Sequence, residues 1–387
     1  MKTYKLGSLF AGIGGIGLGF EMVKCEKAKY EVIWANEIDS EASKTYRSNF
    51  THVLLEGDIN LIIHPDKADD KSDKNVEYYK KMRELMLKEK VDIIDAGFPC
   101  QAFSIAGERK GFEDERGNLF WSIINTVLLH EKKHGEKPRI LFLENVKNLK
   151  SHDKGNTYKV IKSEIEKLGY IIKDAVINTM SVTNLPQNRE RIYMVCFRDD
   201  EDANSFKMFD NLVNFQKNRS AKEWAYEVKK VINYDERKEA KYYYTKEKYP
   251  KYFITKSEYE NMAVETRKET RINIEEEITE MYQFYQIRRG MYVRKNQSNV
   301  CPTLTANMGT GGHNVPLIKD QYGIRKLTPY ETLRLQGFPT QKGFSSPCSD
   351  AMIYKQAGNA VSVPVIKLIA EELLKVLFKN DAKTNNY

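Results

Sequence analysis

A chain of 387 residues, 41% hydrophobic and 30% charged, is long enough for a large core and two domains, and its balance is that of an ordinary globular protein. No apolar run approaches the length of a bilayer span, and the amino-terminal MKTYKLGSLF leads straight into a strand pattern, so neither a membrane segment nor a signal peptide is expected. The formal net charge of +8 is compatible with a polyanionic partner without identifying one.

In chain order, residues 5–11 (KLGSLFA) read as a buried strand, followed by FAGIGGIGLGF with glycines at 12, 14 and 17. That is the G-x-G-x-x-G spacing of a dinucleotide-binding turn, opening a helix through about Val23. Any adenosine-bearing cofactor needs such a bare backbone, so the turn alone does not separate NAD from other ligands. YEVIWANEID, from Tyr30, reads as a second strand ending in Glu37 and Asp39. The charged stretch 64–90 reads as a surface insertion with one amphipathic helix, placing Tyr79, Met82, and Leu85 or Met86 at helical spacing. VDIIDAGF (91–98) and RILFLENV (139–146) are a third and a fourth strand, with helical patterns in SEASKTYRSNF and NLFWSIINTVLLHEKK. This alternation predicts an α/β fold with a doubly wound, mostly parallel sheet. YIIKDAVIN and RIYMVCFR add two strands before about residue 198.

From about 200 to 300 the rhythm is lost and Lys, Glu and Tyr dominate, as in KYYYTKEKYPKYF at 241–253. Basic residues interleaved with aromatics suit either a surface that tracks phosphates and stacks bases or a solvated, partly helical one. Strong helices return after 323, ending in PVIKLIAEELLKVLF. The expected organisation is a first domain over 1–200, a smaller second domain over 201–320, and a segment 321–387 returning to the first.

Five cysteines, at 25, 100, 196, 301 and 348, are odd in number and form no C-x-x-C pair, which points to a reducing compartment and to neither a disulfide framework nor a metal site. Cys100, in GFPCQAFSIAG, stands apart because it sits where a strand's carboxyl end should open onto a ligand. A thiol near exposed amide N–H groups can be held as thiolate, whereas Cys25, Cys196 and Cys348 read as small buried core residues. Glu144, at the end of LENV, emerges on the same sheet edge; burial there would raise its pKa and keep it protonated, or it could pair with a neighbouring base. In PQNRERIYMVCF, Arg189 and Arg191 are two apart and therefore on one face of an extended segment, suited to anchoring a carboxylate, a phosphate or a carbonyl oxygen. Either arginine alone could equally be a structural ion pair.

Nine ordered segments, SLFAGIGG, NEID, GDI, GFPCQAFSIAG, GFEDERG, LENVKNL, PQNRERIY, RKLTPYETLRLQGFP and QAGNAVSVP, resemble the DNA (cytosine-5)-methyltransferases of bacterial restriction–modification systems. The resemblance spans the first 200 residues and about the last 65, with 200–300 corresponding to the family's variable target-recognition region. It implies a Rossmann-like catalytic domain that uses S-adenosylmethionine rather than NAD, and a smaller target-recognition domain. By that resemblance Cys100 is the nucleophile, Glu144 holds or protonates N3, Arg191 bonds the O2 carbonyl with Arg189 supporting, and the C5 base is not identified. Phe10, Gly12, Gly14, Glu37, Asp58 and, last in the chain, Asn359 would contact the cofactor, with Ile38, Ile59, Pro99 and Ala360 also in its binding site. The loop from Gln101 to about Gly117 is the expected lid over a flipped base, with Ser104 and Arg116 on the DNA backbone. TLTANMGTGGHN (303–314) is the most recognisable part of the recognition region, offering Thr303, Thr305 and Gly311 to DNA, or else forming a structural hairpin.

Ala360 stands where the family usually has serine, Tyr330 where arginine is common, and the 64–90 stretch is longer than in compact members. The expected partners are double-stranded DNA and, acting separately, a cognate restriction endonuclease; a monomeric, cytoplasmic bacterial protein, nucleoid-associated on DNA, is implied. Two alternatives remain: a tRNA cytosine-5 methyltransferase, and a non-catalytic DNA-binding protein on the same fold. An amino-methylating enzyme would need a D/N-P-P-aromatic motif. A zinc deaminase would need P-C-x-x-C, and Phe103 stands where the second cysteine should be.

Overall fold

The computed structural model describes residues 1–71, 74–98, 118–263, 271–288, 290–309 and 315–384. The chain divides into two compact units, the first comprising Met1–Asn178, Glu190–Gln216 and Val361–Tyr387, the second Thr179–Arg189 and Lys217–Ala360.

The first unit is built on a seven-stranded sheet of β1 (Lys2–Leu9), β2 (Ala28–Glu37), β3 (Val53–Glu56), β4 (Ile93–Gly97), β5 (Ile140–Val146), β6 (Ile171–Asn178) and β7 (Glu190–Phe197). Their spatial order is β3-β2-β1-β4-β5-β7-β6, with β1 to β5 parallel and β7 antiparallel to both neighbours. Strands buried on both faces need near-continuous apolar runs, and β5 supplies one: Ile140, Leu141, Phe142 and Leu143 are fully buried. Four residues of β3 were too short a pattern to stand out, so the third and fourth strands expected from the sequence are β4 and β5.

Helices α1 (Gly15–Glu21), α2 (Ser40–Asn49), α3 (Ile59–Ile63), α4 (Val76–Met86), α5 (Asn118–His134) and α6 (Asn156–Lys167) connect these strands. The amphipathic helix expected within 64–90 is α4, and it is more than a surface insertion: Tyr79 and Met86 are buried in the same core as Trp34, Phe120 and Ile161. The C-terminal helix Val363–Thr384 packs on α1, where a side chain at Gly19 would come within 2.6 Å of Ile366. Arg139 fixes this helix further, bonding Asp202 at 2.5 and 2.9 Å and Asp381 at 2.5 Å.

The order reverses between β1 and β4, and in open α/β sheets ligands bind outside the carboxyl ends at such a switch point. Phe10–Gly14 leaves β1 there, and Phe98 leaves β4.

The second unit holds a four-stranded antiparallel sheet, β8 (Tyr285–Arg288), β9 (Tyr292–Lys295), β10 (Leu317–Asp320) and β11 (Gly323–Lys326), in the order β11-β10-β8-β9. Residues 321–360 belong to this unit, so the return to the first unit begins at Val361 rather than 321. The reason is a buried ion cluster: Arg325 on β11 bonds Asp320 at 2.6 Å and forks onto Glu331 at 2.8 Å twice, with all three side chains inaccessible. KYYYTKEKYPKYF is not a base-stacking surface. Tyr242, Tyr243, Tyr244, Tyr252 and Phe253 are all buried, and Tyr244 stacks on Tyr249 at 4.2 Å. Tyr244, Tyr252 and Phe253 share one core with Ile272, Ile274, Ile278, Ile287, Leu317 and Ile324.

One polar pair is sealed inside the first sheet. Ser8 on β1 donates to Asp95, its register partner on β4, at 2.5 Å, and the second Asp95 oxygen has no partner among the described residues. Burial pushes the Asp95 carboxyl up to about 7, against the opposing pull of the Ser8 hydroxyl. A raised folded-state value means the unfolded chain loses its proton first. The stability Asp95 contributes is complete below its ordinary value near 3.8 and is lost as pH rises through about 7. Asp95→Asn should therefore gain thermal stability relative to the unmodified chain as pH rises from about 4 to about 7; a difference in melting temperature that does not change with pH would count against this.

Candidate active site

The glycine turn is shaped by backbone conformation. Gly12 and Gly14 have φ of +56° and +84°, in the left-handed region that side chains avoid, and Phe10 adopts +54° despite its side chain. A Cβ on Gly12 would meet nothing within 4 Å, so glycine there serves the turn and whatever approaches it rather than local packing. Gly14 is different, since a Cβ would strike the Phe50 ring at 2.4 Å. Phe50 in turn stacks on His52, which lies 3.1 Å from Glu21, so the turn rests on an ordered layer.

Glu37 closes the turn from the next strand. One carboxylate oxygen accepts from Gly12 N at 2.6 Å, and the other from Ile38 N and Asp39 N at 2.8 Å each. A carboxylate has about four lone-pair positions, and three are filled by backbone. Burial raises the Glu37 pKa, and the three N–H donors pull it back toward the ionised form. Ile38 is 67% exposed at the strand end, an isolated apolar side chain beside this carboxylate. Asp58 is half-buried and caps α3 by accepting from Asn60 N at 2.8 Å. Ile59 turns its side chain into the core, so of the expected cofactor neighbours it has only backbone to offer.

At the carboxyl edge, Glu144 pairs in register with Gly97, and its Oε1 lies 3.2 Å from Arg191 Nε. Arg191 reaches it because β7 runs antiparallel, so its first residues stand where β5 ends. Both side chains are largely buried, at 10% and 13% exposure, which strengthens the pairing relative to a surface one. Asn145, not singled out from the sequence, is also buried and donates to the Phe98 carbonyl at 2.7 Å. It thereby pins the backbone two residues before Cys100. An asparagine within an apolar strand, directly after an acid, was the available signal for it.

Pro99, Cys100, Gln101, Ser104, Arg116 and Gly311 lie outside the described residues.

Arg189 and Arg191 do not share a face. β7 begins at Glu190, so the alternation expected to align them does not reach Arg189. Arg189 is buried in the second unit, donating to the carbonyls of Leu304, Gly358 and Ala360 at 3.0, 3.2 and 2.5 Å. It is a structural tie between two segments of that unit. Those segments touch backbone to backbone: a Cβ on Gly358 would fall 2.2 Å from the Thr305 carbonyl carbon. Thr303 and Thr305 are exposed and flank buried Leu304, with the Thr303 hydroxyl donating to Asn188 O at 2.6 Å. Asn359 is exposed and Ala360 half-buried at the end of the helix Asp350–Asn359. Among the described residues no cluster could hold a metal ion and no helix is long and apolar enough to cross a membrane.

The sequence pattern of the family described as C-5 cytosine-specific DNA methylase matches residues 4–375. The type II methyltransferase M.Bsp6I of Bacillus sp. (strain RFL6) is 42% identical over 373 residues, covering 96% of this chain and 98% of its own length. M.HpaII of Haemophilus parainfluenzae is 34% identical over 379 residues, covering 95% and 88%. Among solved structures, the S. pombe Dnmt2 methyltransferase superposes with a TM-score of 0.60 at 15% identity, covering 97% of this chain and 99% of that one. A Spodoptera frugiperda DNMT2 variant superposes at 0.57 and 18% identity, with the same coverage. At such identities these two likenesses establish the shared fold. The near full-length match and the close relatives establish more: this is an enzyme that methylates carbon 5 of cytosine in DNA, and the chain belongs to the C-5 cytosine-specific DNA methylases.

Proposed function

We propose that the methyl donor is S-adenosylmethionine and that the acceptor is a cytosine rotated out of duplex DNA and held through a covalent bond from Cys100 to carbon 6. The observation that carries this reading is the buried Glu144–Arg191 pair beside Gly97, three residues before Cys100, at the sheet edge where the glycine turn also opens.

Cytosine C5 is a poor nucleophile. Addition of the Cys100 thiolate to C6 forms the C–S bond and moves the ring π pair toward C5, making it an enamine carbon. Glu144 holds N3 and Arg191 donates to O2, so the charge that thiolate addition places on the ring meets groups already in position. Bound S-adenosylmethionine supplies the methyl group as an electrophile. Loss of the C5 proton then lets the electron pair return, expel the thiolate and restore the ring. A base stacked in a duplex cannot meet groups recessed at a sheet edge, which is the reason for rotation out of the helix.

The residues present suit the donor. The bare backbone at Gly12 admits the amino-acid portion, and the remaining lone pair of Glu37 suits a ribose hydroxyl. The Phe10 ring and exposed Ile38 offer apolar faces to an adenine, and Asp58 an acceptor for its amino group. The second unit is the target reader in this proposal, with Thr303 and Thr305 among its contacts. In this proposal the chain acts as a monomer and protects DNA beside a separate restriction endonuclease, a role in keeping with its likeness to type II methyltransferases.

Cys100→Ser should abolish methylation of duplex DNA, and the trapped complex with 5-fluorocytosine DNA, while retaining S-adenosylhomocysteine binding; unimpaired methylation by this variant would refute the assignment. Running duplex DNA beside tRNA as substrates should show transfer to the duplex alone. Asn145→Ala, which releases the Phe98 carbonyl, should lower kcat by about a hundredfold with cofactor affinity unchanged, because small displacements of a reacting group are costly. An unchanged kcat would remove Asn145 from the account.

A further inference from the structure

Three separate turns meet the proposed cofactor: Phe10–Gly14 after β1, Glu37–Asp39 after β2 and Gly57–Asp58 after β3. We infer that Asn36 is the positioning residue that sets these three turns against one another, and that its role is in cofactor affinity rather than in the chemical step. The inference rests on the cofactor reading above.

Asn36 is the penultimate residue of β2 and is buried, with 2% exposure. Its backbone carbonyl accepts from Ala11 N at 2.8 Å, which fixes the glycine turn one residue before Gly12. Its side-chain nitrogen donates to Leu55 O at 2.9 Å and to Gly57 O at 3.0 Å, which fixes the turn one residue before Asp58. The next residue, Glu37, holds Gly12, Ile38 and Asp39 through its carboxylate, and its own carbonyl accepts from Gly57 N at 3.0 Å.

The need for this side chain follows from the ladder. Pairing between β2 and β3 stops at Glu37 opposite Glu56, and β3 is an edge strand of four residues. Beyond it, Gly57 has a φ of +129°, outside the extended range, so the sheet pattern cannot carry the chain onward to Asp58. A primary amide offers two protons in one plane, and here each meets a different carbonyl. Aspartate has the same shape and would present lone pairs to the same two oxygens. Serine has one proton to give. The position therefore accepts asparagine for its donors, while its core-facing neighbours Trp34 and Ala35 are chosen for packing.

The test is calorimetric titration of the full chain with S-adenosylhomocysteine, beside steady-state methylation of duplex DNA, for Asn36→Asp and Asn36→Ser. Asn36→Ser leaves a small void and one donor, so it reports even where Asn36→Asp does not fold. The expected result is S-adenosylhomocysteine binding weakened by about tenfold or more, and the KM for S-adenosylmethionine raised to match. kcat at saturating cofactor and the KM for DNA should stay within about threefold of the unmodified chain. A residue serving only stability would lower the melting temperature and leave the dissociation constant of the folded protein unchanged; that result overturns the inference. So does a fall in kcat with unchanged affinity. If the unmodified chain itself does not bind S-adenosylhomocysteine, the cofactor reading fails and this inference with it, an outcome distinct from normal binding by the unmodified chain and by both variants.

Discussion

A parallel sheet covered by helices on both faces can bring polar chemistry together only at its open edges, and the rest of this molecule follows from that. Along β4 and β5 nearly every side chain is buried, and an ion pair forms only where β5 runs out, at Glu144. The Ser8–Asp95 pair is the exception that shows the cost. A carboxyl placed mid-strand is forced toward its neutral form, whereas Glu144 at the edge has a guanidinium for a partner. The antiparallel β7 fits the same scheme. Running against its neighbours, it brings its first residues to the edge where the parallel strands end, and Arg191 is the second of them.

The second structural theme is preorganisation by backbone. Glu37 is held by three N–H groups and Asn36 holds two carbonyls, so the turns around the proposed cofactor are ordered by the protein itself. Groups fixed before a ligand arrives lose little freedom when it binds, and this is where affinity is gained without further contact area.

The strands and the edge residues were legible in the sequence because long apolar runs and a glycine turn are local signals. Glu144 could be assigned to the carboxyl edge from where its strand pattern ends, and it stands there beside Gly97; Cys100 lies outside the described residues. The failures are also instructive. Period-two alternation put Arg189 beside Arg191, but alternation holds only within a strand, and β7 starts between them. The tyrosines of 241–253 read as surface because lysines separate them, yet their rings are buried, and Tyr244 and Tyr252 join the isoleucines of the second unit's core. Residues 321–360 looked like a return to the first domain; Arg325 and Glu331, far from any pattern that periodicity detects, tie them to the second. Asn36 and Asn145 went unremarked for a related reason: what matters is which distant carbonyls they reach, and no local spacing encodes that.

The three-amide cradle around Glu37 changes how any genetic experiment at that codon should be interpreted. A glutamine there keeps only one acceptor oxygen, so its NH2 must face either Gly12 N, releasing the glycine turn, or the N–H groups of Ile38 and Asp39, releasing the strand end and the start of α2. Loss of nucleoside binding in such a mutant would report collapse of the scaffold as much as a missing sugar contact, so the ribose interaction is better isolated by altering the ligand, with a 2′- or 3′-deoxy analogue, than by altering the protein.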